Sequence, residues 1–150
     1  RTACSASASK LGTGWLVGMA QVMGDSGMTF ALAASLGQAA GAAYPLAAPF
    51  AGALGASVTG SNANSNVVFA PLQQQAAAVL GVGTAWILAA QNVGGAVGSA
   101  FAPAKVVVGA STVGLAGAEG RILRRTMVLG MAIVAAAGAA TAAIVALGGG

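Results

Sequence analysis

Charge is what this sequence has least of. Six Lys/Arg and two Asp/Glu make up 5% of its 150 residues, whereas an ordinary soluble domain has about 25%. Between Ser26 and Ala104, 79 consecutive residues carry no formal charge. A soluble fold needs charge on its solvated surface, and disordered chains are charged and poor in hydrophobic residues. The composition therefore argues against both a soluble monomer and a disordered chain.

Histidine is absent and cysteine is nearly so. Without histidine the chain cannot assemble imidazole metal sites, Ser–His–Asp triads or Cys–His pairs. Cys4 is the single cysteine, which excludes a disulfide within the chain. The two acids, Asp25 and Glu119, are 94 positions apart, and nothing in the sequence places them together. We therefore expect no enzyme, no catalytic residue, no metal site and no cofactor.

Hydrophobic residues are abundant instead, at 57%, and alanine and glycine together occupy 64 of the 150 positions. This composition predicts an all-α integral membrane protein. The sequence begins with Arg1 rather than Met, so we expect it to be a piece of a longer protein. We predict a polar loop over residues 1–10 and helical structure over 11–38.

One segment meets the length that a membrane-spanning helix needs, which is about 20 apolar residues. Residues 127–147 contain no charge and no proline. Three arginines precede this segment, so the positive-inside rule predicts a cytoplasmic loop over 118–126 and an external C-terminus. No basic stripe with interleaved aromatic residues accompanies them, and we expect no nucleic-acid binding. The arginines are Arg121, Arg124 and Arg125, and the aromatic residues expected at membrane interfaces are Trp15, Tyr44 and Trp86.

A polar run, TGSNANSN at residues 59–66, separates two imperfect apolar segments. It is either a surface turn between two spanning helices or the tip of a re-entrant hairpin that faces a water-filled cavity. We predict the hairpin, over residues 41–82.

A second interruption follows at Gln91-Asn92-Val93-Gly94-Gly95, with Gly98 close behind. These glycines either unwind the helix or allow another helix to pack closely against it. We predict a broken helix over residues 84–117, interrupted at the glycines or near Pro103. Paired interruptions of this kind are typical of the binding site of a transporter.

Neutral polar side chains beside freed backbone groups can bind a small carboxylate without a buried charge. Lys105 either extends to the membrane interface or contacts an anion, and Asp25 is either a loop residue or the carrier of a coupling proton. The predicted substrate-binding residues are Ser61, Asn62, Asn64, Ser65, Asn66, Gln91, Asn92, Gly94 and Gly95.

The ordered set of these motifs resembles the C-terminal part of bacterial lactate permeases. The run from Gly60 to Asn66 is the most specific element, and the resemblance extends over residues 24–125, about two thirds of the chain. It implies a multi-pass secondary transporter in the bacterial plasma membrane (the inner membrane) that moves lactate and glycolate together with protons. The partners would be upstream transmembrane helices of the same protein. Where the family often has a lysine after its glycine-rich segment, this chain has Ser99, and Lys105 is the candidate substitute.

The layout of a hairpin followed by a broken helix also resembles one half of an inverted-repeat carrier. Two alternatives stay open. One is a carrier of another small organic anion, such as a di- or tricarboxylate. The other is a structural membrane module that transports nothing, in which the Ser/Asn run faces solvent with no cavity beside it. The oligomeric state is left open between a monomer and a homodimer.

Overall fold

The computed structural model describes residues 14, 15, 17–115 and 117–148. Within this part of the chain the regular structure is helical throughout, with no β-strand, which confirms the predicted all-α class. The loop predicted over residues 1–10, including Cys4, lies outside the described residues.

In the described residues, seven α-helices and one short 3₁₀ turn follow one another. The first helix, α1, includes residues 17–25, and residues 14 and 15 are also helical. The others are α2 (Met28–Ala40), the 3₁₀ turn (Gly41–Ala43), α3 (Tyr44–Thr59), α4 (Asn62–Leu80), α5 (Thr84–Ala100), α6 (Pro103–Thr112) and α7 (Glu119–Ala146).

The polar run folds into a tight turn and the beginning of a helix. Gly60 ends α3 with a φ of 70°, a left-handed conformation that glycine adopts without a steric penalty. Ser61 is the N-cap of α4, and its Oγ accepts a hydrogen bond from the Asn64 N–H at 3.3 Å. Two residues therefore join α3 to α4 in a helical hairpin, and the asparagines lie on the first turns of α4 rather than in a loop.

The interruption in the next segment lies at its proline. Helix α5 continues through Gly94 and Gly95, and the chain bends by 42° between α5 and α6. Pro103 has no N–H to continue the helix, and it favours an extended conformation at Ala102, where φ is −61° and ψ is 128°. Of the alternatives that the sequence left open, the helix stays wound at the glycines and is interrupted before Pro103.

The glycines of α5 allow its backbone to touch that of α3. A Cβ atom at Gly94 would collide with the carbonyl oxygen of Pro49, and one at Gly52 would collide with that of Gln91. The two helices run in the same direction, because residues 49 and 53 of α3 meet residues 94 and 98 of α5. Small residues at such a crossing are how helices associate in lipid, where tails are as apolar as leucine.

The remaining helices pack around this pair. Helix α4 runs antiparallel to α3, α2 lies against α4 with Gly37 next to the Leu80 side chain, and α7 crosses α3 and α5. The buried apolar core is built largely from alanine, with a few larger side chains. Those larger members are Tyr44, Ile87, Phe101, Val106 and Val134.

Helix α7 begins earlier than its apolar run suggests. It starts at Glu119 rather than Met127, so the three arginines of the predicted loop lie on the helix itself. No glycine pair or proline interrupts residues 121–127, and an acidic residue in the first turn suits the positive end of the helix dipole. Among the described helices, α7 alone is long and apolar enough to cross a membrane, and α5 with α6 meets the same criterion as a bent pair.

The α3–α5 contact generates a stability prediction. Gly94→Ala places a methyl group on the Pro49 backbone, which cannot rotate away, so we expect a loss of about 1–3 kcal/mol. The measurement is thermal unfolding of the full-length protein in detergent. Gly109→Ala on α6 is the matched control because its Cβ would meet open space. Equal melting temperatures for the two variants would contradict the contact.

Candidate functional site

A chain of buried hydrogen bonds connects α3, α4 and α5. The Tyr44 hydroxyl donates to Gln73 Oε1 at 2.6 Å, and Gln73 Nε2 donates to Gln91 Oε1 at 3.0 Å. Gln91 Nε2 then donates to Ser65 Oγ at 3.4 Å, and that hydroxyl donates to the Gly52 carbonyl at 2.9 Å. We call these five residues the buried chain.

Almost all hydrogen-bonding groups of the buried chain have a partner within it or on the backbone. Gln73 and Gln91 are each 1% exposed and Ser65 is fully buried. Gln73 Nε2 also donates to the Ala48 carbonyl at 3.1 Å, so its amide is used at both ends. Burying a polar group without a partner costs about 1–3 kcal/mol, and mutual pairing avoids that cost without introducing charge. The buried chain therefore holds three helices together and leaves little capacity for a ligand.

Three asparagines form a second group next to the buried chain, on a more open face. Asn62 and Asn66 are one helical turn apart on α4, and both Nδ2 atoms donate to Asn92 Oδ1 on α5 at 2.8 Å. Asn92 is exposed, whereas the other two are half-buried. We call these residues the asparagine cluster.

The asparagine cluster is not saturated. The Oδ1 atoms of Asn62 and Asn66 are shielded from solvent and accept no hydrogen bond in the described part of the chain. A buried carbonyl without a donor costs about 1–3 kcal/mol. Gly95 permits this arrangement, since a Cβ atom there would collide with Asn62 Oδ1. The site therefore presents unpaired acceptors beside the amide N–H groups of the same side chains.

The structure distributes the other predicted site residues over different roles. Ser61 caps α4 through its hydroxyl, and Ser65 and Gln91 belong to the buried chain. Gly94 is the contact point between α5 and α3. Asn64 lies on the other side of α4 from Asn62 and Asn66, beside a cavity of about 320 Å³ with apolar residues of α1 and α3. The nine residues are thus neighbours in space but do not form one surface.

Lys105 and Asp25 lie apart from the asparagine cluster. Lys105 is exposed in the first turn of α6, beyond the bend, and Asp25 is exposed at the end of α1. Neither residue forms a hydrogen bond with the cluster in the described part of the chain.

Two residues of the buried chain were missed or misassigned from the sequence. Tyr44 was expected at a membrane interface, but it is 4% exposed, and its hydroxyl bonds a residue 29 positions away. Trp15 and Trp86 do lie on the surface. Gln73 is the first of three consecutive glutamines in an otherwise apolar segment, and this polar run is the signal that would have pointed to it.

The fold and the polar groups together describe an α-helical portion of a membrane protein with an uncharged polar site. Uncharged amides lie at the meeting point of a helical hairpin and a bent helix, within a chain segment that has no formal charge. Among the described residues, no group of three His, Cys, Asp or Glu side chains is placed to hold a metal ion.

Comparison with known proteins identifies the family. A family model described as L-lactate permease matches residues 1–148, and the chain belongs to this family. It is 31% identical over 112 residues to an L-lactate permease of Halalkalibacterium halodurans, which covers 75% of this chain and 21% of the relative. It is 35% identical over 114 residues to the L-lactate permease of Escherichia coli K12 (76% of this chain, 20% of the relative).

A relative with a different substrate name is similar to the same extent. The glycolate permease GlcA of Escherichia coli K12 is 33% identical over 117 residues, covering 78% of this chain and 21% of that protein. The chain thus spans about a fifth of the length of the curated relatives it matches. No solved structure matches the chain.

The buried chain generates a second stability prediction. Gln73→Leu removes the partner of both Tyr44 and Gln91 while keeping a similar volume, and we expect a loss of about 2–4 kcal/mol. Thermal unfolding of the full-length protein in detergent measures it. Gln38→Leu, an exposed glutamine of α2, is the control and changes stability little. A Gln73→Leu protein as stable as the control would show that the buried chain contributes nothing.

Proposed function

We propose that the full-length protein is a multi-pass secondary transporter of lactate and glycolate in the bacterial plasma membrane. In this proposal the chain contributes the asparagine cluster as part of the substrate path, and it transports rather than catalyses. The family membership supports the proposal, as do two relatives named as permeases for lactate and one for glycolate.

The observation that carries the proposal is the unpaired state of the asparagine cluster. Lactate and glycolate each have a carboxylate, which accepts hydrogen bonds, and a neighbouring hydroxyl, which can donate one. Amide N–H groups of Asn62, Asn66 and Asn92 would bind the carboxylate, and the free Asn62 and Asn66 carbonyls would accept from the hydroxyl. A carboxylate alone would leave these carbonyls without a donor.

The lack of charge at this site also suits transport. A carrier has to release what it binds, and a fixed cation in the membrane would hold an anion tightly and would itself be costly to bury. Neutral amides give directional contacts of moderate strength, so binding and release stay balanced. The alternative of a structural module fits less well, because it predicts a solvent-facing polar run with no cavity beside it.

The proposal also concerns proton coupling and dimer formation. No member of the asparagine cluster titrates, so a coupled proton must travel on the substrate carboxyl or on an acid elsewhere. In the described residues the acids are Asp25 and Glu119, and we propose Asp25, at the end of α1, as the candidate. Lys105 remains a candidate anion contact on the path rather than in the cluster, and we leave a homodimer to measurement.

Lactate uptake by vesicles that contain the full-length protein tests the asparagine cluster. Asn92→Ala removes the acceptor shared by Asn62 and Asn66 as well as one donor to the substrate. A hydrogen bond to a charged group contributes about 1.5–3 kcal/mol. We therefore expect KM to rise about tenfold or more, with Asn62→Ala behaving similarly. Gln38→Ala on the exposed side of α2 is the control.

Two further measurements sharpen the result. Asn64→Ala, on the other side of α4, should have a smaller effect than Asn62→Ala, and an equal effect would assign the site to the whole polar run. Propionate, which lacks the hydroxyl, should compete with lactate weakly in the wild-type protein. Unchanged uptake in both Asn62→Ala and Asn92→Ala would refute the assignment, and succinate or citrate outcompeting lactate would favour another anion carrier.

A further inference from the structure

Uncharged amides continue along α4 beyond the asparagine cluster. Asn66, Ala70 and Gln74 are spaced by four residues, which places them in one row along the helix. Asn62 begins the same row one turn earlier. The row therefore leads from the asparagine cluster toward the C-terminal half of α4, with a small side chain at position 70.

Three members of this row, Asn66, Ala70 and Gln74, line a cavity of about 450 Å³ between α1, α4 and α5. Gln21 of α1 and Gln74 of α4 both line the cavity, and apart from Asn66 the rest of the lining is small or apolar. No charged residue is among the described residues that line it. A cavity of this size lies within the range of small-molecule sites, which combine an apolar wall with a few polar groups that orient the ligand.

The backbone supplies an additional acceptor in the same place. Pro71 lies inside α4 and has no N–H, so the carbonyl of Val67, four residues earlier, loses its usual helical partner. Both Val67 and Pro71 line the cavity. Asn66 joins the cavity to the asparagine cluster, because its Nδ2 binds Asn92 while its Oδ1 has no partner among the described residues.

We propose that the cavity between α1, α4 and α5 is the chamber through which a 2-hydroxy carboxylate reaches the asparagine cluster, with Gln21 and Gln74 as its contacts. The proposal rests on the proposed function and extends it to two residues and a helix outside the cluster. The Gln74 and Gln21 amides donate to the carboxylate, and the free carbonyls of Asn66 and Val67 accept from the hydroxyl. The solute passes from one set of neutral groups to the next.

Substituted-cysteine labelling of the full-length protein in proteoliposomes tests the chamber. Gln74→Cys is made in a background without other reactive cysteines, and a small, negatively charged methanethiosulfonate is the reagent. We expect Gln74→Cys to be labelled, and saturating lactate to slow its labelling about fivefold or more. Ser111→Cys, exposed on α6 and away from the cavity, is the control, and lactate should leave its labelling rate unchanged.

Other outcomes would overturn the proposal. A Gln74→Cys protein that resists the reagent would show that lipid or another part of the protein fills the cavity. Labelling that lactate does not slow would show that the solute does not pass there. Ala70→Cys, in the same row, replaces Gln74→Cys if that variant does not fold. Wild-type vesicles are assayed in parallel, and their failure to take up lactate would instead count against the proposed function itself.

A transport measurement separates contact with the solute from a structural effect. Gln74→Ala and Gln21→Ala should each raise KM for lactate about threefold to tenfold and leave the melting temperature unchanged, because both side chains are exposed. A normal KM in both variants would overturn their role as contacts even if the cavity is accessible.

Discussion

The backbone contact between α3 and α5 is the constraint on which the rest of the structure depends. Gly94 lies on the Pro49 carbonyl and Gly52 lies on that of Gln91, so the distance between the helices is set by main-chain atoms. This approach also fixes the rotation of α5. Gln91 consequently points into the interior, where it meets Gln73 and Ser65, while Asn92, the next residue, points to the open face. One steric contact therefore decides that Gln91 has a structural role and that Asn92 is free to be a candidate substrate contact.

The two polar groups differ in what they leave unpaired. In the buried chain each amide is used by another helix, and in lipid such interhelical hydrogen bonds replace part of the missing hydrophobic driving force. In the asparagine cluster one acceptor serves two donors, and two carbonyls are left over. The same residue chemistry thus gives stability where it is saturated and leaves free hydrogen-bonding capacity where it is not, and neither requires a buried ion.

The sequence predicted composition-level features well and tertiary ones less well. The all-α class and the final apolar helix follow from hydropathy, because hydropathy reflects only how well each segment suits contact with lipid. The role of the glycines of α5 could not be predicted from the sequence. Both an unwound helix and close helix packing require glycine, and only the position of the opposing helix decides between them. Tyr44 was misplaced because its partner, Gln73, is 29 residues away. The asparagines were identified by type, but which of them face α5 depends on the rotation of α4.

A contact made by main-chain atoms leaves almost no room for one helix to move along the other. Sliding α5 along α3 by a single residue would bring either Val93 to the Pro49 carbonyl or Ser99 to the Ala53 carbonyl, and neither position has room for a side chain. The two helices are therefore locked in register and must travel as one rigid body in any rearrangement that exposes the asparagine cluster first to one side of a membrane and then to the other. The buried chain ties α4 to the same body, so the bend before Pro103 is the place where this body can pivot.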